Sequence, residues 1–237
     1  MATSGISTIQ YTRDQLIQMS MRKLSVLAKG QVPDTEDYTN AGQAFNLLIA
    51  EFRAMGMPLW ARNSYVITPV ASTSSYNIGT GQTLNTPYPL KLHQAFYTPS
   101  SGTNYNMDII ADYNFNLLPT NSSGKPIQMT YQPKNNLGVI KIWPTPTSAE
   151  TSDTITIVYQ RPFEYMTATA DTIDFPEEWY TPIVYGLATR LAPEWGIALP
   201  DRQTLMKESE MYLERVLGMG FEDATLTFQP DTRWIAR

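Results

Sequence analysis

Apolar residues recur three and four positions apart near both ends of this chain and alternate with polar ones between. Asp174 to Gly220 reads as two helices joined by a stiff elbow, because Pro193 and Gly196 stop one periodic segment and Pro200-Asp201 start the next. In the first, Tyr180, Ile183, Val184, Leu187 and Leu191 form one stripe that must be buried. A short turn from Pro176 to Tyr180 is expected ahead of it, since the ring of Pro182 belongs near a helix start. In the second, Leu205, Ser209, Tyr212, Val216 and Met219 repeat in the same way, Lys207, Glu210 and Glu214 stay outside, and Gly218 and Gly220 end the helix.

The N-terminal part predicts a second helix pair. Residues 1–10 are polar and read as a loose arm. Thr12 can cap a helix, Gln15 can reach back to it, and Tyr11 can staple onto Leu16. Leu16, Ile17, Ser20, Leu24 and Leu27 supply its stripe, with Gly30 and Pro33 as the stop. Asp34 or Thr35 begins the next helix, whose acidic first turn suits the positive end of the dipole. Its stripe is Tyr38, Ala41, Phe45, Leu48, Phe52 and Met55, closed by Gly56 and Pro58.

From Ser64 the period changes to two and turn residues become frequent. Strands are predicted at Tyr65 to Val70, Lys91 to Tyr97, Ile127 to Tyr131, Val139 to Trp143 and Thr154 to Tyr159. Asn135-Asn136-Leu137-Gly138 offers a positive-φ hairpin turn between β-branched and aromatic arms. The expected fold is therefore α+β: a four-helix bundle made from the N- and C-terminal pairs, carrying an inserted antiparallel β-sandwich or small barrel, and followed by an extended tail. The divisions are 1–60 for the arm and first pair, 61–173 for the β insertion, 174–220 for the second pair and 221–237 for the tail.

Charge narrows the possible partners. The formal net charge is −5, and residues 174–217 hold four Lys/Arg against eight Asp/Glu while residues 1–60 and 61–173 are balanced. Without a basic stripe, sequence-specific nucleic-acid binding is disfavoured even though aromatic residues make up 11% of the chain. There are no cysteines, which excludes thiolate metal sites and cysteine nucleophiles. No run of about 18 apolar residues is present, so no membrane span is expected.

Catalytic and cofactor motifs are missing as well. The single histidine, His93, lies in a strand-like run and reads as a structural residue. Gly79-Thr80-Gly81 lacks a third glycine and Asn121-Ser122-Ser123-Gly124-Lys125 lacks the leading glycine of a phosphate loop. Glu177 and Glu178 could be offered as an acid/base pair for sugar hydrolysis, but adjacent residues at a helix start point apart and suit the helix dipole better. No enzyme, metal or cofactor is expected. After Gly220, Phe221, Phe228, Trp234 and Ile235 are spaced too irregularly for a helix, and an aromatic tail of this kind either packs back on its own chain or docks on a neighbour.

The segments NAGQAFNLLIAEFRAMGMPLWA and FPEEWYTPIVYGLATRLAPEWG, with a β insertion between them, resemble the head-to-tail adaptors of short-tailed bacteriophages, the tail tubular protein A or packaged-DNA-stabilising adaptor type. The most specific words are Gly56 to Trp60 and Leu187 to Gly196. The resemblance implies a structural virion protein at the head-tail junction, made in the host cytoplasm. It implies a homo-oligomeric ring of about twelve copies between the portal protein and the tail nozzle protein, which closes the filled head and lets double-stranded DNA pass non-specifically at ejection. In that setting Glu210 and Glu214 would present a DNA-repelling lumen face. Phe221, Phe228, Trp234 and Ile235 would form a portal-docking tail, and the loops Ser100 to Asn106 and Thr120 to Lys125 would serve the nozzle. The alternatives are a β-sandwich recognition module of a tail or fibre and a virion-associated cell-wall hydrolase.

Overall fold

The computed structural model describes residues 8–28, 30–55 and 61–219. Thr12 accepts from the Gln15 amide while Gln15 reaches back to Thr12, closing a capping box on α1 (Arg13–Lys23). Asp34 and Asp37 do the same for α2 (Thr35–Ala54). Each cap stabilises its helix by about 1 kcal/mol, so both starts are set by local chemistry. The end of α1 falls earlier than its stripe suggests: Leu24 is the C-cap and Ser25 turns the chain at φ 58°. Leu24 is still buried, and Leu27 packs on the helical core from outside the helix.

Eight strands follow. They are β1 (Arg62–Ile67), β2 (Ser75–Ile78), β3 (Lys91–Thr98), β4 (Tyr105–Asn106), β5 (Asp108–Ile109), β6 (Gln128–Lys134), β7 (Leu137–Trp143) and β8 (Thr154–Gln160), with a one-turn helix α3 (Asp112–Phe115) after β5. They make two four-stranded sheets, β1-β8-β3-β4 and β2-β7-β6-β5. Ile67, Leu92, Ala95, Tyr97, Ile155, Ile157 and Tyr159 from the first sheet share one apolar core with Tyr76, Ile78, Met129, Ile140 and Ile142 from the second. This is two open sheets face to face, not a closed barrel, and it is not purely antiparallel, because β5 runs parallel to β6.

The β6–β7 hairpin turns at Asn135-Asn136, with Asn136 at φ 63°. Gly138 serves a different purpose. A Cβ there would come within 2.6 Å of the Tyr131 hydroxyl oxygen and 2.8 Å of its Cζ. The glycine therefore makes room for the Tyr131 ring, whose hydroxyl donates to the Pro89 carbonyl. Burial pushes the Tyr131 phenol up to about 12, so it stays protonated as a donor.

The chain re-enters the helical part through a segment with little regular structure. Asn46 on α2 donates to the Met166 carbonyl at 3.2 Å and accepts from the Met166 amide at 3.3 Å, pairing like a piece of strand. The Arg13 amide donates to the Asp171 carbonyl at 2.9 Å, and the Arg161 guanidinium grips the Asp174 carboxylate through both nitrogens. Phe163, Met166, Ile173 and Phe175 consequently lie in the helical core.

A 3-10 turn (Glu177–Trp179) leads into α4 (Tyr180–Leu191), and Gly196 at φ 64° makes the elbow before α5 (Leu199–Met219). Pro182, Ile183, Val184, Gly186, Leu187, Ala188 and Leu191 of α4 are all buried. The four long helices do not pack as equal corners of a bundle. They gather round α4, which packs against α1, α2 and α5, while α5 packs chiefly on α4. No side chain of residues 199–218 is fully buried.

Two consequences can be measured. Gly138→Ala should lower stability by about 1–3 kcal/mol through overpacking, and adding Tyr131→Leu should cost less than the two changes separately. Additive losses in denaturant melts would show that the ring and the glycine are not coupled. Tyr97, buried in the sandwich, donates its hydroxyl to Asp153, and this bond is the main reason that carboxyl sits below its ordinary 3.8. A depressed carboxyl stabilises the fold above its unfolded value, and that contribution is lost as pH falls through the folded one. Tyr97→Phe should thus flatten the acid limb of stability against pH below about 4; an unchanged slope would argue against it.

Candidate functional site

The largest departure from ordinary packing lies around α5. A helix of 21 residues, roughly 31 Å at ~1.5 Å per residue, rests chiefly on α4 and has a groove on each flank. It crosses α4 at Gly186, where a Cβ would meet the Ser209 hydroxyl of α5 at an ordinary 3.6 Å and Leu48 of α2 at a tighter 3.3 Å. Leu205, Leu213, Val216 and Leu217 are half-buried on the helical core. Met206 and Met211 stand 53% and 38% exposed, a large apolar exposure for two side chains on one helix.

Two grooves flank this helix. On the α2 side a cavity of about 330 Å³ is lined by Leu48, Phe52, Met55, Met206, Glu210 and Leu213, with the Arg190–Glu51 ion pair at its edge. On the α1 side a larger one of about 570 Å³ is lined by Tyr11, Arg22, Lys23, Tyr180, Tyr185 and Tyr212. The Tyr185 and Tyr212 rings sit 4.9 Å apart, the Tyr11 and Tyr180 rings meet edge-on at 5.2 Å, and the Lys23 ammonium lies 5.0 Å from the centre of Tyr185.

Of the residues predicted as a lumen face, Glu210 forms part of the α2-side groove and Glu214 follows one turn later. Both are exposed, and neither forms an ion pair among the described residues. The tail positions Phe221, Phe228, Trp234 and Ile235 lie outside the described residues, as does Gly56 to Trp60.

In the sandwich, the loops Ser100 to Asn106 and Thr120 to Lys125 are brought together at one end. The Lys125 ammonium lies 3.3 Å from the centre of the Tyr105 ring and 4.8 Å from that of Tyr97, and the Ser100 amide donates to Asp153 at 2.8 Å. Such cation–π contacts contribute about 0.5–2 kcal/mol, enough to tie the two loops into one surface.

The chemical candidates do not converge. Glu177 accepts from the Ile9 amide at 3.1 Å, both Glu177 and Glu178 are exposed on the 3-10 turn, and neither lines a groove beside α5. His93 occupies a bulge of β3, where burial first, then Arg62 and Lys91, holds its pKa below the ordinary value. It is not the satisfied structural histidine expected, since its Nε2 is buried without a hydrogen-bond partner. Among the described residues no group of three His, Asp or Glu could hold a metal ion, and no helix is long and apolar enough to cross a membrane.

No curated protein matches the chain significantly. The sequence profile of one family, described as SU10 adaptor protein, matches residues 11–215. That span runs from Tyr11, ahead of the first capping box, through both sheets and into the last turns of α5. The expected head-to-tail adaptor and its structural role accord with it. The chain belongs to the SU10 adaptor protein family, a family of phage head-tail adaptors and hence of virion structural proteins.

Proposed function

We propose that this chain forms a ring, of about twelve copies, between the portal and the tail nozzle, closing the filled head and letting DNA pass when the particle ejects its genome. The observation that carries this reading is α5, a long helix with one packed face and apolar residues on its open flanks. A lone protomer leaves Met206 and Met211 in water, and neighbouring copies in a ring would cover such side chains. In this reading the two apolar cores correspond to working parts: the helical one, with 1–60 and 174–220, builds the ring, and the sandwich within 61–173 projects from it.

Glu210 and Glu214 face the lumen. Carboxylates there repel phosphate, so the duplex slides without being held. The tail beyond Gly220 reaches the portal through Phe228, Trp234 and Ile235, and the joined loops around Lys125 and Tyr105 meet the nozzle.

Native mass with negative-stain imaging, on the protein alone and mixed with its phage's portal, tests the ring. Closed rings of about twelve copies are expected at least in the presence of portal. Removal of Phe228 to Arg237 should abolish portal docking while leaving the circular-dichroism melt within about 2 °C. A persistent monomer that ignores portal, or a truncated chain that docks as well as the full one, would count against the assignment. Glu210→Lys with Glu214→Lys should slow genome release, followed by dye fluorescence from triggered particles, several-fold or more. Ejection at the ordinary rate would remove these two residues from the lumen.

A further inference from the structure

The α1-side groove has a definite chemical character. Four tyrosines, Tyr11, Tyr180, Tyr185 and Tyr212, line it together with Met19 and Val184, and its cations are Arg22 and Lys23 from the last turn of α1. Among the described residues neither cation forms an ion pair. Such a site suits a short segment that carries an aromatic ring followed by carboxylates.

The chain has such a segment directly after α5: Gly220 is followed by Phe221-Glu222-Asp223. The helix packing ends α5 near the mouth of the groove. Tyr185 meets Tyr212 and Gly186 faces Ser209, so α5 runs antiparallel to α4 and its last turn lies level with the start of α4. Tyr180 and Tyr11 stand there as an aromatic pair. From Tyr11, α1 leads on for about 16 Å at ~1.5 Å per residue to Arg22 and Lys23. An extended chain covers ~3.3 Å per residue, so a ring at Phe221 reaches the tyrosine pair and carboxylates at Glu222 and Asp223 come within reach of the long basic side chains. Gly220 permits the reversal of direction that this path needs.

We infer that the α1-side groove is an intramolecular docking site for Phe221-Glu222-Asp223 of the same chain. Phe221 packs against Tyr11 and Tyr180, and the two carboxylates meet Arg22 and Lys23. The covalent tether gives the segment a high local concentration, which selects it over a free peptide of the same composition. The α1 flank of α5 is thereby covered in the protomer, while the α2 flank with Met206 and Glu210 stays open. Docking also holds the chain beyond residue 223 at one point of departure.

The absence of cysteine in the sequence makes cross-linking a clean test. The full-length chain carrying Met19→Cys and Ala224→Cys should form a disulfide under mild oxidant that migrates at monomer mass. The pair Gln203→Cys and Ala224→Cys, with its first thiol on the exposed start of α5, serves as the control and should react at least five-fold more slowly. Adding Glu222→Gln and Asp223→Asn to the groove pair should bring its rate down to the control. Matching melts for all variants verify that each is folded, and the measurement needs no portal, so it is independent of ring formation. Equal rates for groove and control pairs would overturn the proposal. So would a cross-link at dimer mass, which would assign the groove to another copy's segment, or a rate indifferent to loss of the carboxylates.

Discussion

The burial of α4 is the constraint on which the helical half depends. A helix of 12 residues with apolar groups on more than one face cannot remain in water, and no single partner can cover it. The N-terminal helices supply two sides, α5 a third, and the aromatic residues Phe52, Phe163, Phe175 and Trp179 close its start with ring centroids 4.5 to 6.1 Å apart. Segments from opposite ends of the sequence must therefore meet before either is stable. At Gly186 the lack of a Cβ makes room for Leu48 of α2, which would otherwise lie 3.3 Å from it.

Much of this was legible in the residues because the signals are local. Thr12 with Gln15 announces a helix start that the structure repeats bond for bond, Asp34, one of the two starts offered for α2, is its cap, and the long strands follow their alternating patterns to within a few residues. What escaped depends on distant partners. β2, β4 and β5 are two to four residues long, too short for a period to register. Gly138 looked like a turn glycine, while its need comes from the ring of Tyr131 across the hairpin. Residues 161–175 have no period at all, yet the Asn46 side chain and the Arg13 amide hold their backbone by bonds that composition cannot foretell.

The same division applies to function. The exposure of Glu210 and Glu214 follows from their place opposite the α5 stripe, so sequence suffices. The grooves do not follow from it, because each is walled by three helices and exists only once α5 has docked on one of them. Arg22 and Lys23 read as an ordinary basic end of α1; only the fold sets them beside Tyr185 and Tyr212. The lack of cysteine, which excludes thiolate chemistry, is read from the sequence alone.

One feature of the sheets bears on how this architecture tolerates change. β1 and β8, the strands by which the chain enters and leaves the sandwich, are neighbours in one sheet, with Arg62 opposite Gln160 and the Arg161 amide bonded to the Ala61 carbonyl at 3.0 Å. Entry and exit are thus about one strand spacing apart, ~4.8 Å. For the helices, everything between those points behaves as a tight hairpin whose ends are already joined. The entropy of closing so large a loop is met inside the sandwich and does not burden the helical core. Insertions at the far loops can lengthen the sandwich without loosening the helices.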